Sequence, residues 1–338
     1  MKKIRIAQIG LGHDHSAEIL RSICKQSDIF EVVGYAEPEE EKGKFQKNYW
    51  VKNEWDVKEM TVDEILNYPG LDAVTIETEE KNLTKYATLA AERGFHIHMD
   101  KPGSESVEDY AKLIGMAKEK GLVFHLGYMY RYNPAVIDLF KKINQGKLGN
   151  IYAVEAHMSC PHPVEKREWL GQFKGGMMFY LGCHLIDLIL QIKGLPEEII
   201  PLNCSTGIDG VTTEDYGMAI FKYKDGISFA KTCAAEAGGF YRRQLVVCGD
   251  KGTIEIKPFE KYSAPGMLTT EVAEVYDTEA WHDTRILSET ELYNRYDSMM
   301  ASFAAMARGE KQNPYTYEYE LKLHKVIMKA CGNDVDWK

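Results

Sequence analysis

The stretch KIRIAQIGLGHDH, residues 3–15, decides the fold. Ile4, Ile6, Ala7 and Ile9 crowd into one short run, the pattern of a strand buried on both faces. Gly10 and Gly12 follow at once, and HSAEILRSICKQ (15–26) then has the spacing of a helix. A strand that turns on glycines into a helix, with a second strand after it, is the order in which a dinucleotide-binding unit is built. Its glycines permit a tight turn and close approach of backbone to pyrophosphate, and the free N–H groups of the helix start face the phosphates. The third glycine of the usual pattern is missing, and His15 stands in its place.

The same rhythm continues outward. FEVVGYAE (30–37), DAVTIET (72–78), FHIHMD (95–100) and LVFHLGY (122–128) read as strands. Between them TVDEILNYP (61–69) is a short helix with Thr61 and Glu64 placed for a capping box. NLTKYATLAAERG (82–94) and SVEDYAKLIGMAKEKG (106–121) are longer helices. Alternation of this kind predicts an α/β class with a parallel sheet, a Rossmann domain over residues 1–126. After that the pattern changes. A helix over 133–149 leads to a strand over 150–159 and a glycine-led helix over 176–192. Strand runs follow, with hairpin signals in KYKDGISFAK (222–231) and VVCGDKGTIEI (246–256). Residues 127–338 are therefore expected to form an α+β domain with a large, mainly antiparallel open sheet, its C-terminal helices packing back on the first domain.

The bulk properties narrow the partners. Fifty-one acidic against 41 basic side chains leave a formal charge of −10, which disfavours nucleic acid. The lysines at the start lead into a strand broken by Arg5 and Gln8, not an export signal, and no run of 18 or more apolar residues appears. Seven scattered cysteines with no CxxC fit reduced thiols. The expectation is a cytoplasmic protein with a small-molecule substrate and no nucleic-acid or membrane partner. Glu37 closes the second strand, where a carboxylate accepts the ribose hydroxyls of adenosine and repels a 2′-phosphate, favouring NAD. His13 and His15, with His96, His98 and Asp100 further on, do not close a shell of ligands. The sequence reading assigns no metal and places His13 beside the cofactor.

In order and spacing, IGLG (9–12), DAVTIET, MDKPGS (99–104), GYMYRYNP (127–134) and GGMMFYLGCHLID (175–187) resemble the glucose-fructose oxidoreductase and inositol dehydrogenase family, also called Gfo/Idh/MocA, over nearly the whole chain. The resemblance implies NAD, a sugar or polyol substrate, and a homodimer or homotetramer built on the second-domain sheet. It also implies a lysine near the nicotinamide, Lys101, and a histidine, His184, in the second domain. The family's usual acid four residues before that histidine is Tyr180 here. Glu77, Thr78 and Glu79 replace an alanine-threonine-proline run, with Thr78 at the cofactor.

Oxidation of a secondary alcohol removes a hydride from carbon and a proton from oxygen. His184 suits the proton, since imidazole titrates near neutral pH, and Lys101 suits a developing alkoxide. Tyr180, His184 and Asp187 share one face if the helix is regular, so Asp187 can orient His184 or bond to backbone. Tyr180 can bind substrate or relay the proton, or its presence can mark lost dehydrogenase activity. Tyr128, Arg131, His162, Trp169 and Arg243 are further substrate-contact candidates. The expected function is NAD-dependent oxidation of a sugar, cyclitol or sugar-derived alcohol, or reduction of the ketone. Two other readings stay open: a glycoside hydrolase working by transient oxidation and elimination, and a dinucleotide- or sugar-binding regulator without catalysis.

Overall fold

The structure is a computed structural model that describes every residue except 1, 46, 47 and 49. It divides into two units, residues 1–129 with 296–324, and residues 130–295 with 325–338.

The first unit is built on a five-stranded parallel sheet in the order β2-β1-β3-β4-β5. The strands are β1 (Ile4–Ile9), β2 (Phe30–Ala36), β3 (Ala73–Ile76), β4 (His96–Met99) and β5 (Phe124–Leu126). All of β3 and β5 is buried, as covered parallel strands require. The helices are α1 (Ser16–Lys25), α2 (Trp50–Trp55), α3 (Val62–Leu66), α4 (Leu83–Arg93) and α5 (Val107–Glu119). Local chemistry sets their ends. Thr61 and Glu64 form the reciprocal capping box at α3, and the Ser106 hydroxyl accepts the Asp109 N–H at α5. The later helix Asp297–Ala307 belongs to this unit and is tied to α1, where Ser22 and Lys25 donate to Asp297 at 2.9 and 2.8 Å.

In the second unit, α6 (Pro134–Asn144) starts at Asn133, whose side chain accepts from Ala135 and Val136, with Pro134 at the first helical position. The eight-stranded sheet runs β15-β14-β11-β10-β6-β9-β8-β7. Its members are β6 (Ile151–His157), β7 (Glu198–Pro201), β8 (Tyr216–Tyr223), β9 (Gly226–Cys233), β10 (Gln244–Gly249), β11 (Gly252–Ile256), β14 (Glu271–Val275) and β15 (Ile286–Glu289). β12 (Lys261–Ala264) and β13 (Met267–Thr269) pair separately. Every neighbour in the large sheet is antiparallel except β6 with β9. Both expected hairpins form, but Tyr223 pairs with Gly226, so the β8–β9 turn is Lys224–Asp225 rather than Asp-Gly.

The segment 160–175, which has no clear periodicity, contains the short helix α7 (Val164–Trp169). The glycine-led helix begins with a π-helical turn, Met178–Gly182, before α8 (Cys183–Lys193). The remaining helices are α9 (Asp297–Ala307) and α10 (Tyr317–Ala330). Among the described residues no helix is long and apolar enough to cross a membrane, and all seven cysteines are free.

Candidate active site

In the first unit the candidate residues gather where β1, β3 and β4 end. Gly10 has a φ of +100°, and a Cβ there would stand 2.4 Å from the Thr78 nitrogen. Only glycine lets the loop lie this close to the end of β3. The buried Gln8 holds the loop from beneath, donating to the Gly10 and Ser16 carbonyls at 3.0 Å each and accepting from Thr75. The Gly10 N–H donates to Ala36 and the His13 N–H to Glu77. β2 and β3 flank β1 on opposite sides, so the loop sits at the switch point where open α/β sheets bind nucleotides. The backbone therefore fits a dinucleotide.

The side chains add an unusual charge. Glu37, Glu41, Glu77, Glu79, Glu80 and Asp100 are all buried. A Cβ on Gly12 would stand 2.6 Å from Glu41 Oε2, so this carboxyl group faces the loop directly. Its other oxygen accepts from the Glu79 N–H at 3.0 Å and from Asn82 at 2.7 Å. Burial pushes Glu41 up to about 7, against those hydrogen bonds. At lower pH it is neutral beside the loop, and above pH 7 it is an anion that would repel a phosphate bound there. Dinucleotide affinity is thus expected to fall by about tenfold as pH rises from 6 to 8. Glu41→Gln should flatten that dependence, as checked by calorimetric titration; an unchanged slope in the variant would remove Glu41 as its source.

Asp100 ends β4 beside Lys101, and both are buried. Asp100 Oδ1 accepts the Lys101 N–H at 2.7 Å. Asp100 Oδ2 lies 3.0 Å from His15 Nδ1 and 3.2 Å from His13 Nδ1. Burial alone would raise Asp100, but His13 and His15 outweigh it and hold the acid well below its usual value. Burial holds His15 down at about 4, so it is neutral and donates to Asp100. Glu77 moves the other way. Burial, and then the Asp100 carboxylate, push it well above the ordinary carboxylate range. His98 lies 2.8 Å from His125 through their Nδ1 atoms and 3.7 Å from Glu77 Oε1. Neither the Glu77 nor the His98 contact is readable from spacing, because they join different strands.

In the second unit the π turn breaks the expected single face. A wider turn rotates the residues before it away from those after it. Tyr180 meets His162 at 6.0 Å and Trp169 at 5.8 Å between ring centroids, whereas His184 meets the edge of Tyr130 at 5.0 Å. His184 is buried at 1 % exposure and Tyr180 at 5 %. Lys166 was not singled out by sequence, yet its ammonium lies 3.6 Å from the Trp169 ring centre and 4.4 Å from that of Tyr180. The one signal was its i, i+3 spacing to Trp169 on α7.

Asp187 is committed elsewhere than to His184. Arg131 holds it in a two-pronged pair, Nε to Oδ2 at 2.9 Å and Nη2 to Oδ1 at 2.8 Å, and Gln191 adds a bond at 2.9 Å. Both partners are about 1 % exposed, so this pair braces α8 instead of offering charge to a substrate. Arg243 is likewise engaged, donating to Glu260 at 2.9 Å and to the Tyr130 hydroxyl at 3.0 Å. Arg295 reaches the same Glu260 at 2.6 Å. Tyr128, a candidate in the first unit, is buried at 1 % exposure. His162 remains half-buried, with Nε2 3.0 Å from Cys160 Sγ.

Two family profiles match the chain. Residues 4–128 match one described as an oxidoreductase family with an NAD-binding Rossmann fold, and residues 137–255 match the GFO/IDH/MocA C-terminal domain. The chain belongs to the Gfo/Idh/MocA oxidoreductases. Among Gfo/Idh/MocA relatives, an Escherichia coli protein named uncharacterized oxidoreductase YhhX is 27 % identical over 58 % of this chain and 55 % of its own length. The match to a second E. coli oxidoreductase, YdgJ, spans 51 % of each chain, so the chain covers about half the length of these two. The 1,5-anhydro-D-fructose reductase of Ensifer adhaerens is 24 % identical over 80 % of this chain and 81 % of its own. The NAD-dependent scyllo-inositol 2-dehydrogenase of Bacillus subtilis is 29 % identical over 44 % of this chain and 42 % of its own. A solved aldose-aldose oxidoreductase from Caulobacter crescentus superposes with a TM-score of 0.79 at 17 % identity, covering 98 % of both chains, which shows the shared fold.

Proposed function

We propose that this oxidoreductase uses NAD to oxidise a secondary alcohol of a sugar, cyclitol or sugar derivative, or to reduce the matching ketone. The observation that carries the reading is Lys101, a lysine buried just past the carboxyl end of β4, its backbone N–H held by Asp100, in the unit that carries the nucleotide-binding turn. Buried ionisable side chains concentrate at functional sites.

Bound nicotinamide supplies the hydride acceptor or donor. Gly10, Gly12, Glu37 and Thr78 would hold the dinucleotide, with His13 in the loop beside it, and Lys101 would face both it and the reacting oxygen. Glu37 at the end of β2 disfavours a 2′-phosphate and is the reason for choosing NAD; the relatives include users of either form. Within the first unit Lys101 is the group suited to a developing alkoxide, and within the second His184 is the group suited to accept a proton. Tyr180, with Lys166 and His162 beside it, hydrogen-bonds a substrate hydroxyl or carboxylate, and Trp169 offers a ring face to the sugar. In the same proposal two or four copies assemble on the large sheet, where Tyr152, Ile227, Ile286 and Leu287 are exposed.

The test is to denature purified protein, assay released NAD(H), and screen sugars and cyclitols for steady reduction of added NAD. Catalysed reduction by one class supports the reading. Glycoside cleavage without net NADH would replace it with the elimination chemistry, and dinucleotide binding with no turnover would replace it with a regulator. With an active substrate, Tyr180→Phe should raise KM about tenfold at nearly constant kcat if the hydroxyl only binds. A collapse of kcat would make Tyr180 the proton relay instead.

A further inference from the structure

We propose that His13, His15 and Asp100, closed by Glu77, form a binding site for a first-row divalent cation such as Zn2+ in the first unit. Two imidazoles with carboxylate oxygen are a ligand set that Zn2+ and Fe2+ accept. Asp100 stands 85 residues beyond His15, so it is the pairing of the strands that brings it to the two histidines.

Distances carry the first argument. Bonds of about 2.0–2.1 Å to a tetrahedral ion separate the ligand atoms by about 3.3 Å. His15 Nδ1 lies 3.0 and 3.3 Å from the two Asp100 oxygens, and His13 Nδ1 lies 3.2 Å from Oδ2. One ligand atom from each of the three residues lies within 4.8 Å of the others.

The second argument is independent and concerns Glu77. Its side chain is fully buried, no N–H or hydroxyl donor among the described residues reaches either oxygen, and its acidic neighbour is Asp100, to which it can donate only while it carries a proton. One of these oxygens lies 4.0 Å from His13 Nδ1. Two buried acids side by side hold either a proton or a cation between them, and a divalent ion beside the histidines would take the proton's place.

His13 points the same way. Its Nδ1 faces a donor, the His15 N–H at 3.2 Å, and an acceptor, Asp100 Oδ2 at 3.2 Å, and one ring nitrogen can serve only one of them. An ion between Nδ1 and Oδ2 would take the Nδ1 lone pair in place of the His15 N–H and bind Oδ2 as well. Outer support is in place as well, since the Lys101 N–H fixes Asp100 Oδ1 and turns Oδ2 toward the histidines. His15 is the one partly exposed ligand, at 14 %, and marks the side from which an ion enters.

The site does not rest on the redox reading, because it can be tested with metal alone. Chelator-treated full-length protein is titrated with Co2+, followed by visible absorption, and then with Zn2+ by calorimetry. The expected result is one ion per chain with the intense d–d bands of a four- or five-coordinate site, displaced by Zn2+. His15→Ala should weaken Zn2+ at least about tenfold and bleach the cobalt bands, while its far-UV circular dichroism stays wild-type. Zn2+ should also raise the Tm of the wild-type protein but not of Asp100→Asn. Absence of saturable cobalt bands in the wild-type protein overturns the proposal without any variant. Equal Zn2+ affinity in His15→Ala and wild-type protein overturns it too.

Discussion

His184→Ala is expected to lower kcat by about a hundred- to ten-thousand-fold while changing dinucleotide affinity less than about twofold. The imidazole is buried at 1 % exposure on the first turn of α8, in the unit without the nucleotide turn. In the role proposed for it, its loss removes a proton acceptor and leaves the residues of the nucleotide turn unchanged. Truncation also leaves a hole beside Tyr130, whose ring edge meets His184 at 5.0 Å, so structure and chemistry must be separated. A pH–rate profile does this. Loss of a proton acceptor removes the rising limb of kcat, whereas loosened packing scales the whole profile. An unchanged kcat in His184→Ala would end the assignment.

The second large effect concerns stability. Asp187→Ala is expected to destabilise the second unit by about 3–5 kcal/mol, because it leaves the Arg131 guanidinium buried without its carboxylate. Ion pairs at the surface are worth far less, but here both side chains are about 1 % exposed and joined by two charge-assisted bonds. Replacing both partners together, Arg131→Met with Asp187→Leu, should restore most of the loss, since no charge is then left alone. Urea unfolding of the single and double variants reads this directly. A loss below about 1 kcal/mol for Asp187→Ala would mean that water reaches the pair.

Both predictions separate residues that the sequence had grouped. Tyr180, His184 and Asp187 fall on one stripe if every turn has the same pitch. The π turn at Met178–Gly182 changes the pitch at that point, and it leaves no mark in hydrophobic spacing because every residue in it is buried. Arg131, placed as a substrate contact, reaches Asp187 across 56 positions, and Arg243 reaches Tyr130 across 113. Pairings over such separations have no local signature.

The sequence by itself determined what short-range chemistry controls. Apolar runs between glycines and caps specify β1, β3, the Thr61–Glu64 box, the Asn133–Pro134 start and the hairpins, because each depends on neighbours within a few residues. It also placed Gly10, Glu37 and Lys101 at strand ends, since a strand's end is a local event. Tertiary structure alone decided which buried charges meet. Parallel pairing of β1, β3 and β4 brings His13, Glu77 and Asp100 together from three separate strand ends. Their electrostatics follow from that distance and burial, which a linear sequence does not contain.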